Sequence, residues 1–126
     1  MRRCFALNET TCDCTYPLSV TRGRSMIFSF DASSEDDGEQ FVFTTGDILR
    51  FGVKKRYLDS KCLIVKTAQI SEPSNTVSFY LSPDDTVNLA IGDYYYDIGL
   101  ERGTEYYDVI KCSAFTVLPN VTRKEQ

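Results

Sequence analysis

The sequence predicts an all-β chain: a two-sheet antiparallel β-sandwich of about seven strands, with one short helical turn near 83–89. Three observations carry this prediction. Short runs of alternating apolar and polar residues recur along the chain, each closed by turn residues. Aromatic residues make up 13% of the chain, all of them Tyr or Phe, which favour strands and interfaces. A helix-start signal occurs in one place, at Ser82-Pro83.

The elements follow in order. Residues 1–14 show neither helical nor strand period and are expected to form an arm, disordered or ordered only on a partner. Tyr16, Leu18 and Val20 alternate with Pro17 and Ser19, a first strand that proline confines to an edge. Thr21 to Arg24 turn the chain into Ser25–Asp31, where Met26, Phe28 and Phe30 share a face. Ala32 to Glu39 read as a solvated acidic loop without the ligand spacing of a calcium site. After the short apolar segment Gln40–Phe43 and a turn at Thr44–Asp47, Ile48–Tyr57 form a long strand. Leu49, Phe51, Val53 and Tyr57 face one way; Arg50, Lys54 and Arg56 face the other. Gly52 on the polar side marks a bulge or a close approach of another backbone. Cys62–Ile70 is apolar at its start and is expected to be a central strand. Thr76–Leu81 turns Val77, Phe79 and Leu81 inward.

The stretch Leu81–Leu100 is the most structured reading. Ser82 is placed as N-cap, Pro83 as the first helical residue and Asp85 as the capping-box acid, with Asp84 also in the first turn. Gly92-Asp93 ends this piece. Tyr94, Tyr96, Ile98 and Leu100 then fall on one face of a strand, and Tyr95, Asp97, Gly99 and Glu101 on the other. Glu105–Leu118 is the last extended region. Tyr107 and Val109 share a phase with Phe115 and Val117, with a bulge near Cys112-Ser113 between them. The sandwich thus spans 15–122, and 123–126 is a tail.

Composition narrows the function. The chain has 126 residues, one domain's worth, of which 42% are hydrophobic and 25% charged, the balance of a globular protein. A domain of this size buries roughly two-thirds of the surface its unfolded chain exposes. The net charge of −4 argues against nucleic-acid binding, and Lys54-Lys55-Arg56 reads as a solvated strand end. Five cysteines and no histidine do not suggest a secreted disulfide framework or a zinc site at Cys12-Asp13-Cys14. Cys62 and Cys112 are expected as buried free thiols, or as neighbours across two sheets. The apolar run Cys4–Leu7 is too short for a signal sequence, and no segment approaches membrane-spanning length. The expected setting is a reducing cytoplasm, at least before any assembly or release, without membrane attachment. The sequons at Asn8 and Asn120 carry no meaning there.

Catalytic chemistry is missing from the pattern. Without histidine, a serine or cysteine nucleophile lacks its usual base. No phosphate loop, dinucleotide fingerprint or zincin helix occurs. The acid pairs Asp36-Asp37, Asp84-Asp85 and Asp93 with Asp97 give no reason to choose a glycosidase couple. The prediction is a non-enzyme without cofactor or metal. Tyr94 and Tyr96 are assigned to the core with hydroxyls at its rim. Tyr95 and Tyr106 lie on the opposite phase and, with Asp97, make the candidate interaction surface. Asp97 follows three tyrosines, either exposed on the outer face or hydrogen-bonded to a neighbouring loop.

A strand ending in leucine, then Ser82-Pro83-Asp84-Asp85-Thr86, then Gly92, Tyr94, Tyr96, Asp97 and Ile98, and a closing Phe115, Val117, Val121 and Thr122 resemble a known family. It is the Ig-like β-sandwich domain of phage and prophage baseplate or tail proteins, in kind the N-terminal domain of upper baseplate proteins. The resemblance covers roughly residues 16 to 122. Two places depart from the family pattern: Arg22-Gly23-Arg24 stands for Arg-Gly-Asp, and Ser113-Ala114 replaces a glycine. The resemblance implies an Ig-like fold and a non-catalytic virion structural role in the tail, baseplate or head–tail region. It also implies other virion proteins as partners, repeated copies in a symmetric homo-oligomeric assembly, and a location in the virion after the bacterial cytoplasm. A small carbohydrate-binding module using exposed tyrosines is the alternative, lowered by the absence of tryptophan. A chain beginning at Tyr16 is expected to fold, since the sandwich excludes the arm; circular dichroism and a cooperative melt of that truncation check this.

Overall fold

The structure, a computed structural model, describes residues 16–31, 42–56 and 58–122. The expected arm, the acidic loop, Tyr57 and the tail lie outside these residues, as does the Cys12-Asp13-Cys14 motif. Among the described residues the chain forms β1 (Leu18–Thr21), β2 (Met26–Asp31), β3 (Ile48–Lys54), β4 (Ile64–Gln69), β5 (Thr76–Leu81), α1 (Pro83–Thr86), β6 (Gly92–Arg102) and β7 (Glu105–Leu118). Five strands make one sheet in the order β1-β7-β6-β3-β4, and β2 pairs with β5 in a second. This is the all-β, two-sheet class that the alternation predicts. The order β4-β3-β6-β7 facing a β2-β5 pair is the connectivity of an Ig-like sandwich.

The strands follow from the period-two pattern. In β5 every second residue is buried, namely Val77, Phe79 and Leu81. In β3 the buried set is Leu49, Phe51 and Val53, and in β6 it includes Tyr94, Tyr96, Ile98 and Leu100. These faces meet in an aromatic core. The Phe51 ring lies 5.1 Å from Phe28 and 5.7 Å from Phe79, both on the opposite sheet. On its own sheet it lies 5.5 Å from Tyr96 and 6.1 Å from Phe115. Edge-on and tilted pairs at these spacings are favourable beyond the area they bury. Both core tyrosines place their hydroxyls at the rim, as expected. Tyr94 Oη donates to the Ala90 carbonyl at 2.7 Å, and Tyr96 Oη donates to the Tyr16 carbonyl at 2.5 Å.

The helical turn is capped as its sequence dictates. The Asp85 carboxylate accepts from the Ser82 N–H at 2.7 Å and from Ser82 Oγ at 3.2 Å. The same carboxylate takes Lys66 Nζ of β4 at 2.9 Å, a partner the local pattern does not reveal. Burial works to raise the Asp85 pKa, but Lys66 and Ser82 together hold it below the ordinary value. Thr86 is fully buried, and its Oγ1 accepts from the Gly23 N–H at 2.8 Å, which ties α1 to the β1–β2 turn. The β6–β7 hairpin closes at Gly103-Thr104, with Gly103 at φ 60, the position where a tight hairpin turn needs glycine.

Several expectations are corrected. The sandwich is not antiparallel throughout: β1 runs parallel to β7, Leu18 opposite Phe115 and Thr21 opposite Leu118. β4 is an edge strand and not a central one. Its apolar start misleads because Leu63 and Val65 are exposed, while Lys66 turns inward to Asp85. An inward-pointing lysine is one way to keep an edge from pairing with another chain. Gly52 marks no bulge, since β3 keeps an unbroken register with both neighbours. The close approach there comes from a side chain: a Cβ at Gly52 would lie 3.1 Å from Cys62 Sγ. Cys62 is an exposed free thiol, whereas Cys112 is disulfide-bonded, so the two neither pair nor form buried thiols. The β7 bulge falls where expected, with register shifts against β6 between Tyr96 and Gly99. It has a further effect: Val109 and Ile110 are both buried, and Tyr107 leaves the core phase and is exposed. Lys55 does not simply face solvent, because its Nζ lies 4.5 Å over the Tyr94 ring and donates to the Asp93 carbonyl.

Phe51→Ala is expected to destabilise the fold by about 3–5 kcal/mol, because it removes the ring that touches both sheets. Urea titration measures the loss, and a cost near that of a surface substitution would refute the central role of Phe51.

Candidate functional site

The side chains that alternation turns away from the core collect on the outer face of the five-stranded sheet. The pairing of β3, β6 and β7 sets Lys54 opposite Tyr95, Gly52 opposite Asp97, and Glu101 opposite Tyr106. The three predicted surface residues are thereby brought onto one face. Tyr95 is half-buried, while Asp97 and Tyr106 are exposed.

Gly99 organises this face. It is buried, and a Cβ there would lie 2.5 Å from Cζ of Tyr106. The Tyr106 ring therefore lies across the glycine backbone, in space that any other residue would fill. A glycine inside a strand marks such an approach, so the signal was present in the sequence although the ring could not be named from it. Arg50 and Glu101 form an ion pair on the same face. Both side chains keep substantial solvent access, so the pair contributes little to stability.

Charge is not balanced around Asp97. It is exposed as a residue, yet protein atoms crowd its carboxyl. Burial raises its pKa above the ordinary value; Asp108 adds to the rise and Lys54 opposes it. Asp97 accepts no hydrogen bond from a described neighbouring loop, so of its two expected settings the outer face is the observed one. The Tyr106 hydroxyl is likewise pushed up, first by burial and then by the negative charge of Asp97. The face thus holds two tyrosines, a compensated ion pair and two carboxylates, Asp97 and Asp108, that repel each other. Among the described residues no group of three or more His, Cys, Asp or Glu side chains is placed to hold a metal ion. No helix among them is long and apolar enough to cross a membrane.

The far end of the face is pinned by a pair that sequence reasoning missed. Asp47 is 1% exposed. Its carboxylate accepts from Arg102 Nε at 2.9 Å and Nη2 at 2.6 Å, and from the Thr44 N–H at 2.8 Å. Arg102 also reaches the Val42 carbonyl at 3.2 Å. The Arg102 hydrogen bonds hold Asp47 below the ordinary carboxylate range, against the opposing effect of burial. In the sequence Asp47 reads only as a turn residue, and 55 positions separate it from its partner.

No family model and no curated protein matches the chain. Among solved structures, one of the extracellular domains of the voltage-gated sodium channel β4 subunit is similar. That work describes parallel homodimers and a role in cell–cell adhesion. The identity is 13%, the TM-score is 0.41, and the match covers 93% of this chain and 98% of the other. At this level the likeness says nothing of what this chain binds.

The two aspartates give opposite pH signatures. The Asp47 pKa is lowered on folding, so its contribution is present above the unfolded value and is lost as pH falls below about 4. The Asp97 pKa is raised, so ionising it weakens the fold as pH climbs through the carboxylate range. Asp47→Asn is expected to lower the melting midpoint at pH 7, and Asp97→Asn to raise it, with both differences shrinking towards pH 3. Melts across that range check both signs.

Proposed function

We propose that this chain is a non-catalytic structural module that works through protein–protein contact in a symmetric assembly. The observation that carries the reading is the outer face of β3, β6 and β7. It presents Tyr95, Asp97 and Tyr106 together on a regular sheet, as an interaction surface requires. Tyrosine combines a large apolar ring with a polar tip, which suits a surface that is wet when alone and covered when assembled. The repulsion between Asp97 and Asp108 favours a partner that brings positive charge or excludes water around one protonated carboxyl.

A narrower proposal is a phage or prophage virion protein of the tail, baseplate or head–tail region, made in the bacterial cytoplasm and carried in the virion. It rests on the family pattern in Leu81–Leu100. Its residues from Leu81 to Ile98 run through the end of β5, the capped turn α1 and β6, where Tyr94, Tyr96 and Ile98 are buried and Asp97 lies on the outer face. Its partners are then other virion proteins and further copies of the chain.

Light scattering coupled to size exclusion tests the assembly reading, beside a glycan array for the carbohydrate alternative. Concentration-dependent assembly that weakens in a Tyr95→Ala, Tyr106→Ala double variant of unchanged circular dichroism is the expected result. Specific glycan binding lost in Tyr95→Ala would sink the proposal. Neighbouring genes for tape-measure, capsid or lysis proteins would support the virion placement, and their absence from every such locus would refute it.

A further inference from the structure

The outer face of β3, β6 and β7 carries its charges in order. Lys54 stands opposite Tyr95, and Asp97 lies two residues further along β6. Two residues beyond Asp97, Gly99 stands opposite Asp108 of β7. Lys54, Asp97 and Asp108 are thus successive diagonal neighbours on one face, with Cα atoms about 7–8 Å apart at each step. Two residues past Lys54, where the chain leaves the sheet, comes the exposed Arg56. The order along the face is two positive charges, then two negative ones.

These four charges are unmatched among the described residues. The ion pairs there join Arg50 to Glu101, Lys66 to Asp85 and Arg102 to Asp47. Lys54 is near enough to oppose the rise in the Asp97 pKa but forms no ion pair with it. Arg56 is held to Asp59 through its main chain, which leaves its guanidinium without an acidic partner there.

An order of two positive and two negative charges is its own complement when reversed. Consider a second copy turned by a two-fold axis that lies in the plane of contact, midway between Lys54 and Asp97. Each Lys54 then meets Asp97 of the other copy, and the same turn carries each Asp108 towards the other copy's Arg56. A two-fold contact makes every such pairing twice. Tyr95 stands beside Lys54, and the Tyr106 ring lies over Gly99 beside Asp108. Both rings therefore border the charged diagonal, where they would exclude water from it.

We propose that two copies of the chain join face to face across this surface, Lys54 of each on Asp97 of the other and Arg56 on Asp108. This rests on the reading of the face as an interaction surface and names its occupant as a second copy. The net charge of −4 opposes association at long range, so the order of charges on the face, not the overall charge, selects the pairing.

Sedimentation velocity of the full chain tests the pairing with exchanged charges. Lys54→Glu alone and Asp97→Lys alone each set like charges together twice, and each is expected to weaken association roughly tenfold or more. Mixed in equal amounts, the two variants are expected to associate about as tightly as the unsubstituted chain, because every contact again joins opposite charges. A merely structural effect of either substitution would not be rescued by mixing. Arg56→Glu and Asp108→Lys, both at exposed positions, repeat the cycle should circular dichroism show that Asp97→Lys does not fold. Variants that associate like the unsubstituted chain, or a mixture no tighter than its parts, overturn the pairing. If the Tyr95→Ala, Tyr106→Ala variant loses association while the charge variants keep it, the face remains an interaction surface and only this pairing falls. A monomeric unsubstituted chain removes both.

Discussion

The packing of Phe51 is the interaction on which the other elements depend. A two-stranded sheet such as β2-β5 is marginal on its own in water. Here it gains a second layer because Phe28 and Phe79 meet Phe51 from across the interior. Phe51 in turn leans on Tyr96 and Phe115, so one ring ties β3 to four other strands across both sheets. The tyrosine at this junction is tolerated because its hydroxyl escapes to the Tyr16 carbonyl, and an unmet hydroxyl there would oppose the same burial.

Among the described residues the buried polar groups are answered: Asp47 takes Arg102 and Thr44, Thr86 takes Gly23, and Ser113 donates to the Lys111 carbonyl, while half-buried Asp85 takes Ser82 and Lys66. The Asp47–Arg102, Asp85–Lys66 and Thr86–Gly23 contacts join segments remote in the chain, and each fixes a loop or edge to the sheet beside it. Removing one member would leave a desolvated charge or donor, which costs more than the intact contact contributes. They therefore select one arrangement of loops more than they add to stability. The outer face follows a different rule. Its charges are solvated or mutually repulsive, so it is the part of the molecule with something to gain from a partner.

The sequence made β5 and the start of α1 legible to the residue, because alternation and the Ser82-Pro83-Asp84-Asp85 cap act locally; α1 ends at Thr86, three residues short of the expected turn, and β6 already begins at Gly92, where a break was expected. The placement of Tyr94 and Tyr96 inside and of Tyr95, Asp97 and Tyr106 outside followed from the same period. What escaped was pairing. An apolar start made β4 read as central, since nothing local tells a strand that it has a neighbour on one side only. The parallel partner of β1 lies almost a hundred residues on, and the Asp47–Arg102 pair joins a turn to a strand end. Gly99 was visible as a glycine within a strand, but its meaning required knowing that β7 lays Tyr106 over it.

The parallel run of β1 beside β7 also sets how the molecule responds to tension. The polypeptide comes in at the Leu18 end of this ladder and goes out past Leu118 at the other end. A pull between those two points is directed along the strands. It loads the β1–β7 hydrogen bonds together, in shear, whereas an antiparallel pair with both ends on one side would be peeled open bond by bond. The sandwich is thus built to transmit a stretching force along its axis before it yields.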